Sequence, residues 1–415
     1  MAPVILRLTF EDPKLIQALQ ISYICVQPLA SSESIICFDS VNGVEIIETN
    51  IFISCELDIV KCDMEILFTI TDDNGKILVL SKTAAVPLSL FCTLRNEVDV
   101  EYGAEIVINI KGNCIDLLEL LSDFDRDELF EHDGKSIISI YNRASKNTVT
   151  IAATDKQYVI KGKDYTDIVL ILEKIIYNLD NYYKIKGETF KYNFKVDKEL
   201  NNKLIHKFIK CIEGHAKARI KLKEFENQLN ILQRQFTLIQ KKLLVQYGSQ
   251  PPGDCEDLDL LMKDTYDRLQ NTARQIIEDR VLVSRAGNGL VAVGNLIIHI
   301  LKVSIKDNFK VKLIEEMLAL NTLYEDFQEW EESVNQAMPY IVNNLLTKTE
   351  KDKEKMASLS EQGILSHINL KKFLKQIRLL LDRMFAEAID TEGENDMDAS
   401  QSTKVVRIQE LVEVI

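Results

Sequence analysis

Five histidines, His132, His206, His215, His299 and His367, are the first candidates for acid–base or metal chemistry. None falls in HExxH or another ligand spacing that would set two imidazoles on one metal. His206 lies in a helical pattern and His299 in an apolar one, and packing accounts for both. Glu131, His132, Asp133 and Gly134 place acid, base and acid side by side, but in a stretch that reads as loop. "GNGLVAVG" has the glycine density of a phosphate loop. A dinucleotide fingerprint needs a strand before it and a helix after it, and no strand precedes this one. GxSxG and GxxxxGK[ST] are absent from the sequence. The expectation is a protein that is not an enzyme, with no catalytic residue, no cofactor, no metal site and no small-molecule substrate. An enzyme with an unrecognised site in the mixed α/β region is the competing hypothesis from another class.

Cysteine chemistry is the next candidate. Six of the eight cysteines (Cys25, Cys37, Cys55, Cys62, Cys92 and Cys114) lie in the first 114 residues. No two form CxxC, which argues against a zinc knuckle. The start, "MAPVILRLTFEDPKL", carries no basic and apolar leader, so reduced thiols packed as small apolar side chains are expected. "NYYKIKGETFKYNFKVDK" interleaves lysine with aromatics as single-strand binders do. A period of two explains it more simply, with Phe190, Tyr192 and Phe194 on the core side and Lys191 and Lys195 in solvent. A weak role at an anionic membrane surface stays open beside that reading.

The elements that must position these residues follow from composition and period. The 415 residues are 46% hydrophobic and 27% charged, enough for about two to four cores. A net charge of −14 gives no global attraction to nucleic acid or anionic lipid, and no nucleic-acid partner is expected. "GNGLVAVGNLIIHILKV" is interrupted by Asn288, Asn295 and His299 and reads as a buried helix rather than a membrane span.

The spacing predicts strands over "VILRLTF", "QISYICVQPL", "SIICF", "EIIETNIFISCEL", "MEILFTIT" and "KILVLS", with a type I′ hairpin turn at Asn74 and Gly75. Strands at this interval suggest an immunoglobulin-like β-sandwich. Further strands are expected at "DVEYGAEIVINI", "KSIISIYN", "NTVTIAAT", "QYVIKG" and "FKYNFK". A short helix is expected at Leu117, Leu120 and Leu121. A longer helix is capped by Asp164 and carries Ile168, Ile171, Leu172, Ile175 and Leu179 on one face.

Beyond residue 197 the pattern is helical. Ala218, Leu222, Phe225, Leu229, Leu232, Phe236, Ile239 and Leu243 recur in steps of four and three, the spacing of a coiled-coil seam. "YGSQPPGD" breaks the helix. A second seam follows at Met262, Tyr266, Leu269, Ala273 and Ile276, which makes an antiparallel hairpin. The first seam runs beyond the second, so part of Phe225, Leu229, Leu232, Phe236, Ile239 and Leu243 is expected to cover itself on another protein. Trp330 shares a stripe with Tyr324, Phe327 and Val334 and serves either as core or as an interface anchor. The expected layout is a β-sandwich over 1–95, an α+β platform over 96–196, a long helical hairpin over 197–281, a helical bundle segment over 282–345, a charged linker over 346–358, a C-terminal helix over 359–387 and an acidic disordered tail over 388–415.

Several strings carry a resemblance. "NTVTIAATDKQYVIKGKDYTDIVLILEKI", "FTLIQKKLLVQY" with "LDLLMKDTYDRL", "LYEDFQEWEESVNQAMPYIVNNLL" and "NLKKFLKQIRLLLDRM" resemble the C-terminal region of the family of the ninth Bardet–Biedl syndrome protein, also called parathyroid-hormone-responsive B1 protein. The resemblance covers about 100–385, and more loosely the N-terminus, where the family has an adaptin-ear-like sandwich. It implies a non-enzymatic scaffold subunit of the BBSome, a coat-like complex that carries membrane proteins to and from cilia. Its implied partners are the first, second and eighth Bardet–Biedl proteins, with peripheral membrane association through the complex. Its implied place is the cytoplasm, the cilium, and the ciliary base and centriolar region. The family begins with a β-propeller that this chain lacks, which suggests a truncated gene model or a short form. The alternative reading is a self-associating coiled-coil structural or adaptor protein unrelated to cilia.

Overall fold

The computed structural model describes residues 2–9, 16–25, 29–31, 35–38, 46–55, 63–72, 75–95, 102–112, 114–121, 123–124, 137–154, 156–248, 256–305, 307–318, 327–341 and 370–395. The loop at 131–134, Asn74, the linker at 346–358, His132, His367 and the tail beyond 395 lie outside them.

β-Branched and aromatic runs form the strands that alternation predicts. In one N-terminal sheet β5 (Ile46–Cys55) pairs antiparallel with both β1 (Ala2–Thr9) and β3 (Leu29–Ser31). A second sheet has the order β4 (Ile35–Phe38), β2 (Ile16–Cys25), β6 (Asp63–Asp72), β7 (Ile77–Ala85), with every pair antiparallel. Leu19, Ile21 and Ile66 of the second sheet are buried, as is Ile47 of the first. β6 and β7 form the expected hairpin, and Gly75 takes the positive φ of +76° that a side chain would resist.

The platform is a six-stranded sheet in the order β13 (Tyr192–Phe194), β9 (Ala104–Ile110), β12 (Gln157–Gly162), β11 (Thr148–Ala153), β10 (Ile137–Asn142), β8 (Cys92–Arg95). The edge strand β8 escaped the sequence reading because four residues are too short to show a period. One turn, α1 (Leu117–Leu120), buries Leu117, Leu120 and Leu121. The helix α2 (Tyr165–Ile185) lies on the sheet and buries Ile168, Ile171, Leu172, Ile175 and Leu179 as its period requires. Asp164 stands at its N-cap position in extended conformation, yet its carboxylate makes no cap hydrogen bond and pairs instead with Lys207. Asp123 ties the platform to the chain before it: it accepts from the Leu88 amide at 3.2 Å and pairs with Lys174 at 2.7 Å.

Two helices of nearly equal length follow: α3 (Lys198–Tyr247) and α4 (Glu256–Ser304). Asp197 caps α3 by accepting from the Leu200 amide at 2.7 Å. The expected hairpin stopped at 281, with separate helices beyond. Instead α4 continues unbroken through Gly287, Gly289 and Gly294. Each glycine costs about 1 kcal/mol relative to Ala, but Leu290, Val291, Val293, Leu296, Ile297, Ile300 and Leu301 are all buried there. Burial of seven such side chains outweighs three propensity penalties. By length and composition this helix would suffice to cross a membrane, but its apolar end is packed inside this core.

α5 (Asn308–Leu318) and α6 (Phe327–Ile341) pack beside the hairpin, and α7 (Leu370–Asn395) lies on both of its helices. Disorder was expected beyond Ala388, but the helix continues to Asn395. A helix already nucleated on a buried face gains one hydrogen bond per residue added, so it outlasts its own apolar stripe.

Candidate interaction surfaces

The hairpin is the longest feature, and its seams decide what it offers to others. On α3 the expected stripe faces α4: Leu232 and Ile239 are buried, and Phe225, Leu229, Phe236 and Leu243 are half-buried. The second seam has a different register from the one expected. Met262, Leu269 and Ile276 hold their places, but Tyr266 is 47% exposed, while Thr265, Thr272 and Asp279 are buried. Positions 262, 265, 269, 272, 276 and 279 are a strict three–four alternation. The reading missed it by following apolarity, which drew it to Tyr266 and Ala273. Both registers alternate threes and fours, so spacing alone does not choose between them. Thr265 and Thr272 can lie inside because their hydroxyls donate to the carbonyls of Leu261 and Arg268, at 2.7 and 2.8 Å.

Ion pairs set the register between the helices. The Lys221 ammonium meets the buried Asp279 carboxylate at 2.9 Å, and Arg280 reaches Glu226 at 3.2 Å. The Phe236 and Tyr266 rings lie 6.2 Å apart. Further toward the platform, Arg219 of α3 grips the buried Glu331 of α6 at 2.6 Å. Such a pair does little for net stability, but one arrangement of α6 on α3 satisfies it and a shifted one strands a buried charge. Trp330 beside it is buried and packs edge-on against Phe373 of α7, with centroids 6.2 Å apart. The open choice for Trp330 resolves in this chain to core.

The platform end of the hairpin is held by aromatics. Tyr183, Phe190 and Tyr192 stack in series, with centroids 5.3 and 4.8 Å apart. Tyr192 shares a 2.6 Å hydrogen bond with Nε2 of His299. Burial, then the charge of Lys302, holds His299 down to about 4. Burial, then Arg219, holds His215 down to about 4 as well. Both imidazoles are neutral at pH 7, and the packing expected of His299 is what is found.

A cavity of about 250 Å³ opens where α2 starts, lined by Asp164, Thr166, Lys207, Cys211, Arg285 and Asn288 among others. Asp164 and Lys207 are spent on each other, and burial pushes the Cys211 thiol up to about 11, far from a reactive thiolate. Cys37, Cys92, Cys114 and Cys211 stand outside any disulfide, and burial pushes Cys92 up to about 12. Among the described residues no group of three or more His, Cys, Asp or Glu side chains could hold a metal ion.

What the hairpin leaves in water is aliphatic. Ile231, Leu238 and Val245 recur at intervals of seven on α3 and are all exposed, Val245 at 87%. Leu244, Leu260 and Leu261 surround the tip in the same state. These residues lie outside both seams, and the sequence reading passed over them because they do not continue an a/d stripe.

These features define a multidomain α+β protein whose surface is built around a long antiparallel helical hairpin. A family model described as the PTHB1 hairpin matches residues 204–305, which takes in most of α3 and all of α4. Protein PTHB1 of Mus musculus is 26% identical over 307 residues, covering 72% of this chain and 33% of the relative. Protein PTHB1 of Homo sapiens is 25% identical over the same length, with 72% and 33% covered. The Xenopus laevis Protein PTHB1 is also 25% identical, with 72% and 34% covered. The chain thus spans about a third of the length of the curated relatives it matches. None of these, nor the hairpin model, bears the name of the ninth Bardet–Biedl syndrome protein. The identification expected from the quoted strings is therefore corrected to a likeness to PTHB1 under that printed name. Short strings measure likeness and do not fix a name.

Proposed function

We propose that this chain is a non-enzymatic scaffold subunit of a BBSome-type coat-like complex, joining other Bardet–Biedl subunits in traffic of membrane proteins to and from cilia. One observation carries the scaffold part: the tip of the hairpin leaves Ile231, Leu238, Val245, Leu244 and Leu260 in water, although its own seams are closed by the chain itself. Aliphatic side chains repeated along one helix stay exposed at a cost that a partner removes. The likeness to PTHB1 over 307 residues supports the choice of complex. The first, second and eighth Bardet–Biedl proteins are the partners, membrane contact is peripheral and made through the complex, and the place of action is the cytoplasm and the cilium with its base.

Affinity purification of the tagged chain from ciliated cells, read by mass spectrometry, tests this. Bardet–Biedl subunits are recovered with the native chain and reduced several-fold with Leu238→Ser/Val245→Ser. Absence of those subunits from the native sample, or full recovery with the folded variant, overturns the assignment. The same aliphatic tip would serve self-association in the alternative reading. Light scattering on the purified chain separates the two, since a monomer at all concentrations excludes a homodimer.

A further inference from the structure

The distal part of α3 runs against the charge of the chain as a whole. The protein carries a net charge of −14, yet residues 227–247 hold Arg234, Lys241 and Lys242 and no acidic residue. All three cations are exposed, and among the described residues none of them meets a carboxylate. Nearer the base, by contrast, Lys221 and Arg280 are paired with Asp279 and Glu226. Ile231, Leu238 and Val245, exposed by 56, 62 and 87%, follow one another at seven-residue intervals. Seven residues are about two helical turns, so the three form one narrow stripe roughly 20 Å long. By the same geometry Arg234 and Lys241 stand on one side of the stripe and Lys242 on the other. The stripe lies on the far side of the helix from Leu229 and Phe236, so closing the hairpin leaves it open.

We propose that this face of α3 docks an amphipathic helix of a partner protein, one whose aliphatic stripe is flanked by acidic residues. Aliphatic side chains at seven-residue intervals are the track that a second helix follows. Carboxylates on both sides of the incoming stripe meet Arg234, Lys241 and Lys242, which fixes register and selects against basic helices. A second copy of this chain fits worse. Its α3 brings the same three cations against their own kind. Its α4 is acidic at Asp264 and Asp267, but the exposed residues between Leu261 and Ile277 include no aliphatic side chain to meet Leu238. An anionic bilayer favours a broad apolar face, and a single line of three side chains among cations is too narrow for it. This names the partner chemistry of the surface that the scaffold reading uses, and it rests on that reading for its purpose. Peptide binding and recovery of Bardet–Biedl subunits are separate measurements, so either can fail while the other stands.

The test is hydrogen exchange of the full chain with two blocked peptides, three repeats of EIAALEQ and three repeats of KIAALKQ. The acidic peptide slows exchange of the 228–245 amides fivefold or more at saturation, and the basic peptide does not. Arg234→Glu/Lys241→Glu/Lys242→Glu exchanges the preference. Leu238→Ser/Val245→Ser abolishes the protection and leaves exchange of α2 and of the hairpin base unchanged. Protection by neither peptide, or by both equally, overturns the proposal. So does slowing by vesicles of phosphatidylcholine and phosphatidylserine in place of the acidic peptide, which would mean that the face meets a bilayer. Protection already present without peptide overturns it as well, if it is lost on dilution (a second copy covers the face) or on deleting 396–415 (the chain's own segment does).

Discussion

The two ends of the hairpin are the same pair of helices in different surroundings. At the base, Leu204, Ile205, Phe208 and Ile212 of α3 and Leu290 to Leu301 of α4 are buried in one core with the platform strands and α7. At the tip, among the described residues, each helix packs on the other, with Leu232, Ile239, Thr265, Thr272 and Ile276 buried between them. The base is anchored by a large three-dimensional core and the tip by a two-helix seam. Continuity through Gly287 and Gly289 is what lets one rigid element serve as both anchor and arm. The contrast teaches that length alone does not make a helix stable, since most helical stability comes from the face it buries.

The strongest way to break this contrast is to hollow the base. Phe208→Ala should cost about 3–5 kcal/mol by deleting a fully buried ring. The denaturation midpoint should fall, with base and tip amides losing protection together. If only local exchange changes, the base is not the anchor.

Acid should act on the base as well. His215 and His299 are held near 4 in the fold, against an ordinary value of 6.5. The unfolded chain therefore binds more protons between these values. Their contribution is fully present above pH 6.5 and is lost as pH falls toward 4, on the order of 1–3 kcal/mol for each. Denaturant titrations across that range measure the slope, and His215→Asn should remove about half of it. A flat profile would mean that neither imidazole is held neutral by the fold.

At the tip, Leu232→Ala should cost about 2 kcal/mol or slightly more. The effect should be local: faster exchange over 225–240 and 262–280, with the base unchanged. Loss of protection at the base too would erase the distinction. The smallest effect is expected at the outer face. Ile231→Ser, Leu238→Ser and Val245→Ser should each leave stability within about 0.5 kcal/mol, because these side chains are already in water. A clear drop in thermal stability would show that this face is packed rather than free.

Much of this architecture is legible from residue order. Alternation located β1, β2 and β4 to β7 and the platform strands other than β8, because a half-buried strand must alternate. A period near 3.6 picked out the buried face of α2, and the three–four steps of α3 picked out its seam. The candidate surface was less legible. Phe225 and Leu229 belong to the stripe of which part was expected to be covered by another protein, and both are half-buried in this chain. Tyr266 was placed inside for being apolar, but Thr265 takes the interior with its hydroxyl satisfied by its own helix.

The chain by itself therefore determined which segments are strand or helix and which side of each seeks shelter, since those depend on near neighbours and on period. Only the tertiary structure decided what gives that shelter. It ran α4 through three glycines because a distant core rewarded it. It matched the first seam with a partner of equal length, and it left β7 as the long aliphatic edge of its sheet. Each of these outcomes turns on residues far apart in sequence being brought to one place, and no local pattern encodes which of them meet.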